Sequence, residues 1–117
     1  MVFAEIRNEA EIHELLYSLG ITPNYLCFFQ TVYAVYLAAN EPEMLQLVTK
    51  TLYPEVAKRC RTDSATVERN ISAAAKLAWR TSRELLQSFA PQELTQRPKP
   101  ADFLFLLARQ VSGSKIA

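Results

Sequence analysis

From Ser64 to well past Trp79 the chain carries no glycine and no proline, and alanine recurs throughout. Such a run commits the middle of the molecule to one long helix, because propensity and pattern agree along its length. Val67, Ile71, Ala74 and Ala78 recur at helical spacing and make one apolar face. Ala65, Arg69, Ser72 and Lys76 then fall on the opposite face, with Thr66, Glu68 and Ala73 at its edges. Upstream, Pro54 to Cys60 reads as a shorter helix with Pro54 near its first turn, where a missing N–H costs nothing. Arg61-Thr62-Asp63-Ser64 connects the two, and Asp63 or Ser64 supplies the short side-chain oxygen that caps the free N–H groups of the long helix. Two helices, a tight turn and a small-residue outer face carrying Arg and Lys describe a helix-turn-helix. Small side chains let a backbone sit deep in a major groove, and Arg is the residue best suited to a guanine edge. A helical hairpin that only packs within a bundle gives the same pattern.

Charge separates the two readings in part. Residues 1–49 hold one arginine against six glutamates, whereas residues 50–83 hold eight bases against three acids. The overall charge of +1 conceals this segregation. The positive charge sits on the helix-turn-helix segment, as phosphate attraction requires, although a solvated helical face of mixed charge would also carry it.

The remaining chain is helical in pattern. Asn8–Leu19 places Ile12, Leu15, Leu16 and Leu19 on one face and ends at Gly20. After the turn Ile21-Thr22-Pro23-Asn24, Tyr25–Ala39 is strongly apolar, with Tyr25, Phe28, Phe29, Tyr33 and Tyr36 at three- and four-residue spacing. It is expected to be the central core helix; the alternative is a dimer face, since a helix apolar nearly all round must be covered. Glu43–Thr51 is expected to be a helix with Met44, Leu45, Leu47 and Val48 inward. Thr81–Phe89 continues beyond Trp79, and Pro91–Pro100 is a basic, proline-containing loop. Ala101–Val111 is the last helix, with Phe103, Leu104, Leu107 and Ala108 inward, and Ser114–Ala117 a frayed tail. The expected fold is all-α, about six helices in a compact orthogonal bundle, with residues 1–117 a single domain.

Other function classes find little support. The N-terminus is acidic without a long apolar run, so it is no secretory signal. The richest apolar stretch is interrupted by Gln30 and Thr31, short of a membrane span. Cys27 and Cys60 read as buried thiols rather than a disulfide or metal pair. His13, the one histidine, lies between Ile12 and Glu14 with no patterned nucleophile and reads as a surface residue on the polar side of its helix. Two glycines cannot build a phosphate loop, and no ligand spacing suggests a metal. Tyr53 and Trp79 read as core residues bracketing the two helices. No enzyme, cofactor or small-molecule substrate is expected.

Several blocks occur in a familiar order: Leu19-Gly20-Ile21-Thr22-Pro23, Glu41-Pro42-Glu43, and Thr49-Lys50 followed by Leu52-Tyr53-Pro54-Glu55-Val56-Ala57-Lys58. Val67-Glu68-Arg69-x-Ile71, Ala78-Trp79 and Lys99-Pro100-x-x-Phe103 complete the series. Over roughly Leu15 to Gln110 the chain resembles the C-terminal effector domain of the sporulation master response regulator of endospore-forming bacteria. The resemblance implies a six-helix bundle whose helix-turn-helix reads short duplex sites, often as tandem dimers. It places Glu68 and Arg69 on positions that face DNA, and Lys99 in the family's basic Lys-Pro loop. Thr66 and Ser72 depart from the family, standing where it usually has arginines; Leu26 and Cys27 replace a Lys-Gly pair. No receiver domain is expected in residues 1–20.

The expectation is therefore a DNA-binding transcriptional regulator, cytoplasmic and associated with the bacterial nucleoid, whose partner is double-stranded DNA, with a homodimer on tandem sites. Glu68, Arg69, Ser72 and Thr66 would contact bases. Lys58, Arg59, Arg61, Lys76 and Lys99 would contact phosphates, with Asp63 aiming the helix. The alternative is a protein-interaction or dimerisation module on the same scaffold, its specific DNA binding weakened or lost.

Overall fold

The computed structural model describes the backbone of residues 2–116 and the side-chain surroundings of residues 9–116. Six α-helices and one 3-10 helix form an all-α bundle, with no strand among the described residues. Helix α1 spans Val2–Ser18, α2 Phe28–Asn40 and α3 Leu52–Cys60; α4 spans Ser64–Thr81, α5 Arg83–Ser88 and α6 Pro100–Ala108. The 3-10 helix occupies Pro42–Leu47.

Helix α1 ends where Gly20 forces it to. The Gly20 N–H donates to Tyr17 O and the Ile21 N–H to Leu16 O, both at 2.9 Å, which is the bonding of a Schellman cap. Leu16 and Ile21, the residues whose apolar contact accompanies such a cap, are both fully buried. Gly20 has φ +86, and a Cβ there would lie 2.9 Å from Thr81 Oγ1, so the turn needs a residue without one.

Helix α2 is the hub, packed on α1, α3, α4, α6 and the 3-10 helix, as expected of the apolar run. It starts three residues later than the pattern suggests. Tyr25 and Phe28 N–H groups instead close successive turns onto Thr22 and Tyr25 carbonyls, and Cys27 offers no side-chain cap. Leu26 is left 91% exposed and Phe29 58% exposed, so the aromatic row is not wholly core. His13 is corrected as well: it is half-buried, edge-on to Phe28 at 5.2 Å and Phe29 at 6.3 Å, in an aromatic cluster rather than on a polar face.

The segment expected as a helix over Glu43–Thr51 is tightened instead. Thr51 Oγ1 donates to the Met44 and Leu47 carbonyls at 3.0 and 2.8 Å, and the three-residue repeat puts Leu45 and Val48 on one row. Leu47 is thereby turned out, 57% exposed, rather than inward. At the other end, the tail is tied down. Lys115 N–H donates to Ala39 O at 2.8 Å, Ile116 packs on the core, and Glu11 accepts from the Ser112 N–H and hydroxyl. Ala117 lies outside the described residues. The α6 row Phe103, Leu104, Leu107 and Ala108 is fully buried, as its spacing requires.

Candidate nucleic-acid interface

Helices α3 and α4 form the helical hairpin read from the sequence. Pro54 lies in the first turn of α3, where its absent N–H breaks no helix bond. The turn is made by Arg61, which adopts a left-handed conformation (φ 57, ψ 50) while the Thr62 N–H caps Ala57 O at 2.9 Å. Glycine usually fills such a position; here an exposed cation does. Asp63 then caps α4, its carboxylate accepting the Thr66 N–H at 2.8 Å. That bond, with Arg69 as a lesser influence, holds the Asp63 carboxyl below the usual carboxylate range.

Val67, Ile71, Ala74 and Ala78 are fully buried, which fixes the rotation of α4 and turns Ala65, Arg69, Ala73 and Lys76 to solvent. Three ties hold this helix in place. The Asp63 cap fixes its start, and Asn70 Nδ2 donates to Gln30 Oε1 of α2 at 3.0 Å in its middle. Thr81 Oγ1 lies 3.2 Å from Leu19 O at its end. A surface that must present side chains in register gains from such a rigid support.

Two shallow hollows flank the exposed face. One is lined by Ala65, Glu68, Arg69 and Ser72 of α4 with Pro100 at the start of α6. Lys99, one residue earlier, is exposed in the N-cap position of α6, bringing the basic loop beside α4. The loop is braced from behind: Gln87 Nε2 donates to Gln92 O at 2.8 Å and its Oε1 accepts the Leu94 N–H at 2.7 Å, while Pro98 is buried. The other hollow lies toward the C-terminal half, between Ala73, Lys76, Leu77 and Arg80 and the turn residues Tyr25 and Cys27.

The residues expected at the interface therefore divide. Glu68, Arg69 and Ser72 share the first hollow, and Thr66 stands beside them, its hydroxyl accepting from Arg69 Nη2 at 3.3 Å. Burial first, and then the Glu68 charge, push the Tyr53 phenol up to about 12. Lys76 belongs to the second hollow. Lys58, Arg59 and Arg61 are exposed at the end of α3, but the Arg59 guanidinium lies 4.8 Å over the Tyr33 ring and so points toward α2. Two residues join that sequence reading did not assign. Arg80 continues the row one turn beyond Lys76, a spacing that was available; Tyr25 is brought in only by the fold. Trp79, expected in the core with Tyr53, is half-buried under Arg83, whose guanidinium lies 4.0 Å from the ring centre. Burial raises the Cys27 and Cys60 thiols, both free, so neither is an activated nucleophile.

Residues 12–111 match the sequence model of the family described as sporulation initiation factor Spo0A C terminal. The chain belongs to this family. The match covers most of its length and includes both helices of the hairpin, the braced loop and α6. Spo0A C-terminal domains are DNA-binding effector domains of a sporulation regulator, and theirs is not an enzyme family. DNA is thereby supported as the partner of this Spo0A-type domain. Among the described residues no group of three or more His, Cys, Asp or Glu could hold a metal, and no helix is long and apolar enough to cross a membrane.

Proposed function

We propose that this Spo0A-type domain regulates transcription by laying α4 in the major groove of double-stranded DNA. The observation that carries the reading is the outer face of α4, where small residues alternate with Arg69, Lys76 and Arg80 while the opposite face is locked in the core. Arg69 contacts a guanine edge; Glu68 orients it or accepts from a cytosine amine, with Thr66 and Ser72 alongside. Lys58, Arg61 and Lys76 contact phosphates, as do Lys99 from the braced loop and Arg59 once its side chain swings off Tyr33. Residues 1–117 act as one domain, and two copies occupy tandem sites as a homodimer.

The test is a salt titration on two duplexes, one with tandem sporulation-type sites and one scrambled. Five phosphate contacts give a log–log slope of about −4.5. Preference for the sites should fall by about 1–3 kcal/mol in Arg69→Ala, the worth of one bidentate contact. Steep but equal binding to both duplexes would remove the sequence-reading part. Absence of binding at low salt would refute the proposal and leave the interaction module. A specific observation favours that second reading: Leu26, between the Tyr25 and Cys27 that line the second hollow, and Phe29 both expose large apolar surface.

A further inference from the structure

The hollow toward the C-terminal half of α4 joins two cations to an aromatic wall that comes from another segment. Lys76 and Arg80, four residues apart on α4, line it together with Tyr25 of the turn before α2. No carboxylate is among its lining residues, and burial raises the Cys27 thiol, which keeps that part of the wall uncharged. The first hollow differs, since Glu68 stands in it beside Arg69. With a volume of about 280 Å³ the second hollow admits a group much larger than one water.

Its polar groups are unengaged. Arg59, Arg83 and Arg109 each lie over an aromatic ring. The Lys76 and Arg80 side chains have no ring, hydrogen bond or ion pair among the described residues, and the Tyr25 hydroxyl has no hydrogen-bond partner there. Arg80 has a structural reason for its charge, because it lies in the last turn of α4, where a cation suits the helix dipole. Lys76, one turn earlier, gains little from the dipole, and like charges four residues apart work against a helix. An anion held between them reverses that repulsion.

The two sides of the hollow are also fixed relative to each other. The Tyr25 N–H donates to Thr22 O and the Phe28 N–H to Tyr25 O, both at 3.0 Å, which sets the turn that carries the ring. Thr81 Oγ1, next to Arg80, lies 3.2 Å from Leu19 O and ties the end of α4 to the chain entering that turn. A site held in this way loses little freedom when its ligand arrives.

We infer that this hollow seats one phosphate diester of the DNA backbone, which Lys76 and Arg80 neutralise together while the Tyr25 hydroxyl donates to one of its oxygens. The inference rests on the proposed groove binding and deepens it. Arg80 and Tyr25 join the interface without adding a further phosphate to those already assigned. Lys76 lies about 10 Å along α4 from Arg69, so the seat is separate from the base pair that Arg69 faces.

The experiment uses the whole chain in salt titrations on a duplex with tandem sporulation-type sites and on its scramble. Lys76→Gln and Arg80→Gln are made singly and together; both side chains are exposed and leave the buried row of α4 untouched. Each single variant should bind more weakly yet keep the wild-type slope, because the remaining cation still neutralises the same phosphate. The double variant should have a log–log slope shallower by about 0.9, the worth of one phosphate. Tyr25→Phe should weaken binding about two- to ten-fold, the worth of one hydrogen bond, with no change of slope. Inorganic phosphate alone should show no saturable binding by calorimetry. An unchanged slope in the double variant would overturn the inference and leave groove binding standing. So would the full slope loss in one single variant, or a double-variant loss of about 1.8, which means a separate phosphate for each cation. Saturable uptake of inorganic phosphate that the double variant lacks would assign the hollow to a free anion and also overturn the inference. No binding of the wild type to either duplex at low salt would overturn it together with the reading beneath it.

Discussion

Arg61→Gly should make the protein more stable and its DNA binding weaker, two effects that usually run together. Arg61 sits at φ 57 and ψ 50, a left-handed conformation that costs a residue with a Cβ about 1–2 kcal/mol. Glycine removes that strain but loses more backbone freedom on folding, an opposing cost of about 0.5–1 kcal/mol. At the middle of both ranges the net gain is about 0.7 kcal/mol, since the capping bond from Thr62 N–H to Ala57 O at 2.9 Å is made by backbone and survives. For a chain of 117 residues this raises the melting temperature by about 2–5 °C. On the DNA side, one phosphate contact is lost, so the slope of log affinity against log salt should become shallower by about 0.9. Thermal denaturation and a salt titration on one preparation read both effects. Arg61→Ala is the control: it loses the charge but keeps the left-handed strain, so it should reproduce the binding loss without the stability gain. A glycine variant that melts at or below the wild-type temperature would refute the strain account.

Three further outcomes follow from the packing. Gly20→Ala should destabilise by about 1–3 kcal/mol in chemical denaturation, because its Cβ would meet Thr81 Oγ1 at 2.9 Å at a positive φ. Thr31 is fully buried and its hydroxyl has no hydrogen-bond partner among the described residues, so Thr31→Val should stabilise by about 1 kcal/mol by the same measurement. Tyr53 has its folded-state pKa raised from 10.0 to about 12, so the stability it contributes is whole below pH 10 and is lost as pH rises through 12. Melting temperatures taken across that range should fall less steeply in Tyr53→Phe than in the wild type.

The buried row of α4 is legible in the sequence because a long run without Gly or Pro fixes the helical period, and four apolar residues on that period fix its rotation. The Asp63 cap is legible for a similar reason, being a local bond between near neighbours. What escapes is decided at a distance. The 3-10 turn over Pro42–Leu47 is tightened by Thr51 bonds to carbonyls seven and four residues back, and no local preference announces them. His13 reads as polar from its neighbours Ile12 and Glu14, yet the packing of α1 on α2 sets it among aromatic rings. Within the candidate site, Glu68, Arg69 and Ser72 could be grouped by helical spacing alone. The hollows on either side could not, because Pro100 and Tyr25 reach α4 only through tertiary folding.

Under the proposed reading, Lys76 is the one phosphate contact on the helix that carries the code and the other four lie on other elements, and this bears on how such a domain can change its target. Lys58, Arg59 and Arg61 close α3, and Lys99 precedes α6, so these four cations are carried by elements other than α4. Loss of any of them lowers affinity for all sequences alike. The outer face of α4, in contrast, contributes almost nothing to the core, which rests on Val67, Ile71, Ala74, Ala75 and Ala78. Thr66 and Ser72, which the resemblance sets where the family usually has arginines, would on this reading alter which bases are read at little cost to the fold. Without arginine at either position, two opportunities for bidentate guanine contacts are absent, each worth about 1–3 kcal/mol of discrimination. The scaffold keeps its grip on the backbone while the face that reads is free to change.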